Sequence, residues 1–281
     1  MSVYLNGAFM PVEEAQVSVL DRGFLFGDGV YEVIPVYAGK PLRLEQHLQR
    51  LQQSLDAIKL TVQEDWVAIV TDLIELNGGG NLSVYLQITR GAEAKRDHAL
   101  PESVFPTIFA MANPFTPVQD LDAVKGIKAI TVEDNRWLQC FIKSICLQPN
   151  VLLKQQASEA GAQDAILMRD GLVTEAAAAN VFIVKDRIVY TAPKNHLILG
   201  GITRDLVLEL VREAGFEVRE ESASRELLEA ADEVWISSST REIVPVTELD
   251  GKPVANGEIG PIWYTAMQHY QTYKQQLIAG E

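Results

Sequence analysis

The sequence predicts an α+β fold in two domains. Short apolar or alternating runs recur along the chain, and helices fall between them at irregular intervals rather than in strict strand–helix alternation. The stretch 113–122 (NPFTPVQDLD) holds two prolines and few apolar anchors, as a linker does. At 281 residues the chain is long enough for two modest domains. The expected division is a small N-terminal domain at 1–113, a linker at 114–122 and a larger C-terminal domain at 123–281.

Taken in order, Ser2–Leu5 and 17–20 read as short strands. From 30 to 37 the faces alternate, with Tyr31, Val33, Pro35 and Tyr37 on one side and Val30, Glu32, Ile34 and Val36 on the other. Pro35 donates no ladder hydrogen bond, which places this strand at an edge or at a bulge. Leu44, Leu48, Leu51, Leu55 and Ile58 form the apolar stripe of a helix, and 62–76 is a second helix stopped by Gly78-Gly79-Gly80. Strands follow at 82–90 and 105–111. Past the linker come strand 127–131, helix 151–161 and strand 165–168, then an Asp170-Gly171 hairpin turn. Further strands are expected at 187–191, Glu217–Glu220 and 233–237, with helices at 204–214 and 224–230.

Composition narrows the function. A net charge of −14 argues against a nucleic-acid backbone as partner. No apolar run approaches membrane-span length, and MSVYLNGAFMPVEEAQ lacks the basic start and apolar core of a signal peptide, so the expected location is the cytoplasm. Cys140 and Cys146, flanked by Phe141, Ile142, Ile145 and Leu147, read as small core hydrophobes rather than a disulfide or zinc site. The four histidines show no metal-ligand spacing.

Chemistry gathers at three places. Lys143 sits in the apolar run CFIKSIC, Glu175 in LVTEAAAANVFIV, and LGGITRD runs a double glycine into a helix. Amine, carboxylate and glycine-led helix start are the needs of a pyridoxal 5'-phosphate (PLP) site. A lysine holds the aldehyde as a Schiff base, an acid keeps the ring nitrogen protonated, and helix-start amides take the phosphate. Taken singly, each has a plainer reading. Lys143 would be a lysine snorkelling from a strand edge, and Glu175 a hydrogen-bonded turn residue. Gly200-Gly201-Ile202-Thr203 would be an ordinary turn with Thr203 as N-cap of a helix beginning at Arg204. Arg50, on the leucine-striped helix, points partly inward or lies on a solvated face. The hydroxyls of Ser237 to Thr240 form a loop or a second phosphate contact. Arg96-Asp97-His98 is the best carboxylate clamp, because a guanidinium fork grips a carboxylate bidentately; otherwise it is a charged loop.

Taken together and in order, DRGFLFGDGVYEV, the Arg50 helix, RGAEAKRDH, FIKSICLQPNVLLKQQA, DAILMRDGLVTEAAAANVFIV, LGGITRD and SSSTREIVPV resemble the fold-type IV PLP aminotransferases, specifically their D-amino acid aminotransferase branch. The resemblance covers nearly the whole chain. It implies a homodimer of two-domain subunits, a small α/β N-terminal domain and a larger one with a strand-rich, barrel-like core, with the active site at the domain interface. It implies PLP on Lys143 and Glu175 at the pyridine nitrogen. Arg50, Ile202, Thr203 and Thr240 would hold the phosphate, and Tyr31, Arg96 and His98 the substrate carboxylate, the last two supplied by the partner subunit.

The implied reaction is ping-pong transamination of a D-amino acid with a 2-oxo acid such as 2-oxoglutarate or pyruvate. Alternatives on the same scaffold are a 4-amino-4-deoxychorismate lyase, a branched-chain L-amino acid transaminase and an (R)-amine transaminase. A non-catalytic PLP-binding protein is the alternative from another class. One departure stands out: positions 176–179 are all alanine, where many relatives follow the glutamate with Gly or Ala and then hydroxyl residues. Backbone amides survive that change.

Overall fold

The computed structural model describes residues 1–280 and divides into two compact units. The first takes in Met1–Thr116 and Ile142–Leu147. Its sheet contains β1 (Ser2–Leu5), β2 (Ala8–Pro11), β3 (Gly29–Tyr37), β4 (Lys40–Pro41), β5 (Leu82–Thr89) and β6 (Thr107–Pro114), in the order β2-β1-β6-β5-β3-β4. Every pairing in it is antiparallel. Helices α1 (Arg22–Phe26), α2 (Leu44–Ala57) and α3 (Trp66–Leu76) complete the unit. One core joins Val30, Ile34 and Val36 of β3, Val84, Leu86 and Ile88 of β5, Leu51 and Leu55 of α2, and Val70 and Leu73 of α3.

The alternation expected for β3 is observed, with Val30, Glu32, Ile34 and Val36 all fully buried. Pro35 is accommodated as its chemistry requires. It pairs with Ser83 of β5, while its carbonyl accepts from Leu42 N on the opposite side, where β4 covers only Val36 and Tyr37. Two expectations fail here. Residues 17–20 form no strand: β1 already has β2 on one side and β6 on the other, and Val17 and Val19 stay exposed. Strand β2 was missed although Asn6-Gly7, both at positive φ, makes the tight hairpin that brings it back along β1. Helix α3 starts at Trp66 rather than 62, because the Asp65 carboxylate accepts from Ala68 N and caps it there.

The second unit takes in Pro117–Phe141 and Gln148–Gln276. Its strands are β7 (Ile127–Glu133), β8 (Asp164–Arg169), β9 (Leu172–Ala176), β10 (Asn180–Lys185), β11 (Ile188–Thr191), β12 (Glu217–Glu220), β13 (Glu233–Ser238), β14 (Glu242–Leu249) and β15 (Lys252–Pro253). They run β12-β11-β10-β13-β14-β7-β8-β9, with β15 on β14. Its helices are α4 (Gln148–Glu159), α5 (Ile202–Glu213), α6 (Arg225–Glu229) and, as far as Gln276, α7 (Pro261–Ala279). The sheet curls, since β9 at one end of the order leads through 177–179 straight into β10, and Ala176 N donates to Ala179 O. Both faces of β8 are buried. Ala165 and Leu167 meet Leu153 and Ala157 of α4, while Ile166 and Met168 share a core with Val181, Ile183, Val234 and Ile236. Asp170 and Gly171, both at positive φ, close the expected hairpin between β8 and β9. Strands β14 and β15 and helix α7 were not anticipated.

The segment Ile142–Leu147 lies beyond residue 123 yet belongs to the first unit. Tyr31 N donates to Lys143 O at 2.9 Å, Ile145 N to Gly29 O at 3.1 Å, and Ser144 bridges to Val30, so the segment runs along the open edge of β3. That path corrects one cysteine. Cys140 is buried as expected, but Cys146 is exposed, because Ile142 takes the position against the core and the Cys146 thiol turns toward Gly27 O, 3.2 Å away. No helix among the described residues is long and apolar enough to cross a membrane.

Candidate cofactor site

In the first unit Lys143 lies in irregular backbone fixed from both sides. Its N–H donates to Ser54 Oγ on α2 at 3.2 Å and its carbonyl accepts from Tyr31. The side chain then runs across the face of Tyr31, with Nζ 4.3 Å from the ring centroid. Tyr31 in turn lies against Tyr85, ring centroids 5.5 Å apart. Burial, with Tyr31 adding to it, pushes the Tyr85 phenol up to about 12, so its hydroxyl remains a donor, here to Gln87 Oε1 at 2.7 Å.

Arg50 is not on a solvated face. It is buried and grips Glu32 bidentately, Nε to Oε1 at 2.8 Å and Nη2 to Oε2 at 2.7 Å. His47 Nδ1 lies 2.7 Å from the same carboxylate. Burial alone would raise the Glu32 carboxyl; the Arg50 charge and the hydrogen bonds override it and hold the group well below the usual carboxylate range. Burial, with help from the Arg50 and Lys143 charges, lowers His47 and keeps it neutral, and its Nε2 is buried with no hydrogen-bond partner. Arg96 and His98 stand exposed on their loop and meet at Phe26, at 4.7 Å from guanidinium carbon to ring centroid and 5.1 Å between ring centroids. Arg22 secures that loop by donating to Asp97 O at 2.6 Å.

In the second unit Glu175 lies near the end of β9 as a buried carboxylate. Oε1 takes a hydrogen bond from Arg136 Nη1; Oε2 accepts from Leu199 N at 3.1 Å and Asn180 Nδ2 at 3.2 Å. A carboxylate offers about four lone-pair sites, so room remains for one more donor. Burial raises the Glu175 carboxyl even with Arg136 opposing it. Arg136 is itself held by Asp134, at 2.9 and 2.8 Å, and Asp134 accepts from Thr174 Oγ1 at 2.9 Å.

Helix α5 begins at Ile202, earlier than the expected Arg204, with Gly201 as N-cap and no side chain capping it. Thr203 is therefore inside the first turn. The cause is Asn180: a Cβ on residue 201 would collide with its Oδ1, so only glycine fits against the residue that also braces Glu175. The first-turn amides of Ile202 and Thr203 are left for an anion. Thr240 lies in the turn between β13 and β14, and the ladder pairs Asn180 with Ser237, whose buried Oγ has no partner. Asn180 thus ties together Glu175, the start of α5 and the end of β13. A buried acceptor with a spare lone pair, an uncapped helix start behind an obligate glycine and an orphaned hydroxyl are a donor set that fits the ring nitrogen and phosphate of PLP.

Sequence reasoning missed Glu32, His47, Arg136 and Asn180. Glu32 carried a readable signal, since a carboxylate on the apolar face of an alternating strand requires a buried cation. Arg136, two residues from Asp134, carried a weaker one.

Comparison with known proteins converges. A family model described as amino-transferase class IV matches residues 29–249. The D-alanine aminotransferase of Bacillus licheniformis is 40% identical over 284 residues, covering 100% of this chain and 98% of that protein. Among solved structures, the branched-chain amino acid aminotransferase of Escherichia coli matches with a TM-score of 0.86 at 28% identity, covering 97% of this chain and 92% of that one. The branched-chain aminotransferase of the thermophilic archaeon Thermoproteus uzoniensis, solved with norvaline, matches with a TM-score of 0.87 at 27% identity, covering 100% and 96%.

Proposed function

This chain belongs to the class IV aminotransferases, and from that premise we propose that it moves the amino group of D-amino acids, D-alanine among them, to a 2-oxo acid such as 2-oxoglutarate or pyruvate. Whole-length identity of 40% to D-alanine aminotransferases carries the reading. PLP, when bound, supplies the carbonyl that takes up the amino group and the ring that accepts the electron pair left when the α-proton departs.

Lys143 would hold the cofactor through its amine, and the same amine, when free, is the base that would take and give back a proton at the substrate α-carbon. Its fixed backbone and the Tyr31 face limit the positions its amine can take, and restricted orientation supplies several kcal/mol of the barrier in reactions of this kind. Glu175 would accept from the ring N–H, with Arg136, Leu199 N and Asn180 keeping its carboxylate aimed. Arg50, the amides of Ile202 and Thr203, the Thr203 hydroxyl and Thr240 would hold the phosphate. Tyr31, Arg96 and His98 grip the substrate carboxylate. Alanine at 176–179 leaves the backbone amides in place, and Ala176 N is already committed to Ala179 O, so this turn is ordered without hydroxyls.

The working form is a homodimer: Phe24 and Phe105 are exposed on the single chain, as are Arg96 and His98, whose side chains then serve the neighbouring subunit. Two free thiols and a net charge of −14 fit the cytoplasm. Half-reactions of the PLP-loaded protein with paired D- and L-amino acids test the proposal. Conversion of the cofactor by D-alanine and its restoration by 2-oxoglutarate or pyruvate are expected. Conversion by L-leucine or L-valine alone would transfer the chain to the branched-chain reading that its structural neighbours represent.

A further inference from the structure

The turn carrying Thr240 is held by more than its own ladder. Ser238 pairs with Glu242, so the loop contains Ser239, Thr240 and Arg241, and Glu242 follows at φ 57. Glycine is the residue that adopts this left-handed conformation without strain. Glutamate there is strained, because in that conformation its Cβ crowds the following carbonyl oxygen. Its carboxylate explains the choice. Glu242 is fully buried and pairs with Lys274 of α7, itself buried, at 2.6 Å, and Gln271 of the same helix donates to it at 3.3 Å. On the other side of the turn, Arg241 donates to the buried Asp164 at 2.5 Å, and Lys154 of α4 shares that oxygen at 3.0 Å. The three-residue loop is thus gripped through its last residue by Asp164 of β8 and through the residue after it by helix α7.

We propose that Lys274, through Glu242, is a positioning residue for the cofactor phosphate: helix α7 fixes the turn so that its hydroxyls and amides face the anion without rearrangement. The inference rests on the phosphate role assigned to Thr240 above. Lys274 touches neither cofactor nor substrate in this scheme; besides Glu242 it donates to Val118 O at 3.4 Å, and it reaches the turn through Glu242. Glu242 keeps a left-handed backbone without glycine, and its carboxylate is what the buried Lys274 requires as counter-charge.

The test compares PLP with pyridoxal, which lacks the phosphate, by titrating apoprotein and following tryptophan fluorescence. The double variant Glu242→Gly/Lys274→Met removes the buried pair together and gives the left-handed position the residue it prefers, so the apoprotein is expected to melt no lower than wild type. Its PLP affinity is expected to fall about tenfold, the equivalent of 1.4 kcal/mol, while pyridoxal affinity stays as in wild type. Lys274→Arg is expected to retain most of the PLP affinity. Unchanged PLP affinity in the double variant, or equal losses for PLP and pyridoxal, would overturn the proposal. Wild-type protein that binds the two compounds equally would instead remove the phosphate reading on which the inference stands.

Discussion

The amine of Lys143 lies over the ring of Tyr31, 4.3 Å from its centroid, while the Tyr31 amide donates to the Lys143 carbonyl at 2.9 Å. Backbone and side chain of the same two residues are therefore locked together, and the lysine cannot shift without the strand. A cation over an aromatic face contributes about 0.5–2 kcal/mol depending on desolvation. Tyr31→Phe keeps that face and removes only the hydroxyl; Tyr31→Ala removes both. Steady-state kinetics should show Tyr31→Phe raising KM for the amino acid, and Tyr31→Ala lowering kcat as well, by about 3- to 30-fold. Equal kinetics for the two variants would separate the ring from any role in placing Lys143.

Glu32 is the counter-charge of Arg50, and breaking a buried pair of this kind typically costs about 3–5 kcal/mol. Glu32→Gln should therefore destabilise the apoprotein by that amount in denaturant unfolding. The pH dependence has a definite sign. The folded-state carboxyl is depressed below its unfolded value, so its contribution is present above the ordinary glutamate range and is lost as the pH falls through the range below it. The stability gap between wild type and Glu32→Gln should narrow on acidification. A gap that widens would contradict the ion pair.

Gly201 meets Asn180 at a distance where no Cβ fits. Gly201→Ala should push Asn180 aside, remove its hydrogen bond to Glu175 and move the start of α5. One charge-assisted hydrogen bond is worth about 1.5–3 kcal/mol, so PLP should bind roughly 10- to 100-fold more weakly in an absorbance titration. Wild-type affinity in Gly201→Ala would show that the cradle is not where the phosphate rests.

Arg136 opposes the burial that raises the Glu175 carboxyl. Arg136→Met removes that opposition, so Glu175 protonates at higher pH and loses the lone pair proposed to accept from the ring nitrogen. The acid limb of the kcat profile should move upward in pH, with turnover near neutrality down about tenfold or more. KM should change little. An unmoved acid limb would dissociate Glu175 from the ring.

What was legible in the sequence was local. The leucine stripe of α2, the alternation of β3 and the Asp170-Gly171 hairpin each follow from periodicity or turn chemistry within a few residues. Lys143 and Glu175 were visible as charges in apolar company. Their surroundings were not, because Arg50 meets Glu32 across 18 positions and Arg136 meets Glu175 across 39, distances that only the packed sheets close. The same limit explains the segment Ile142–Leu147, drawn to the first unit by hydrogen bonds to β3 that its own pattern does not announce. Helix α7 was missed for a different reason. Its buried positions, Ile262, Trp263, Ala266, Met267 and Tyr270, keep helical spacing, but glutamines, threonines and a lysine interrupt the stripe.

Lys143 as the covalent anchor of PLP is the premise on which the rest stands, and borohydride reduction of the loaded protein followed by peptide mass spectrometry reads it directly. The expected result is a phosphopyridoxyl group on the peptide containing Lys143, and its loss in Lys143→Ala with the fold retained by circular dichroism. A reduced adduct on any other lysine, or none at all from protein that binds PLP, would contradict it.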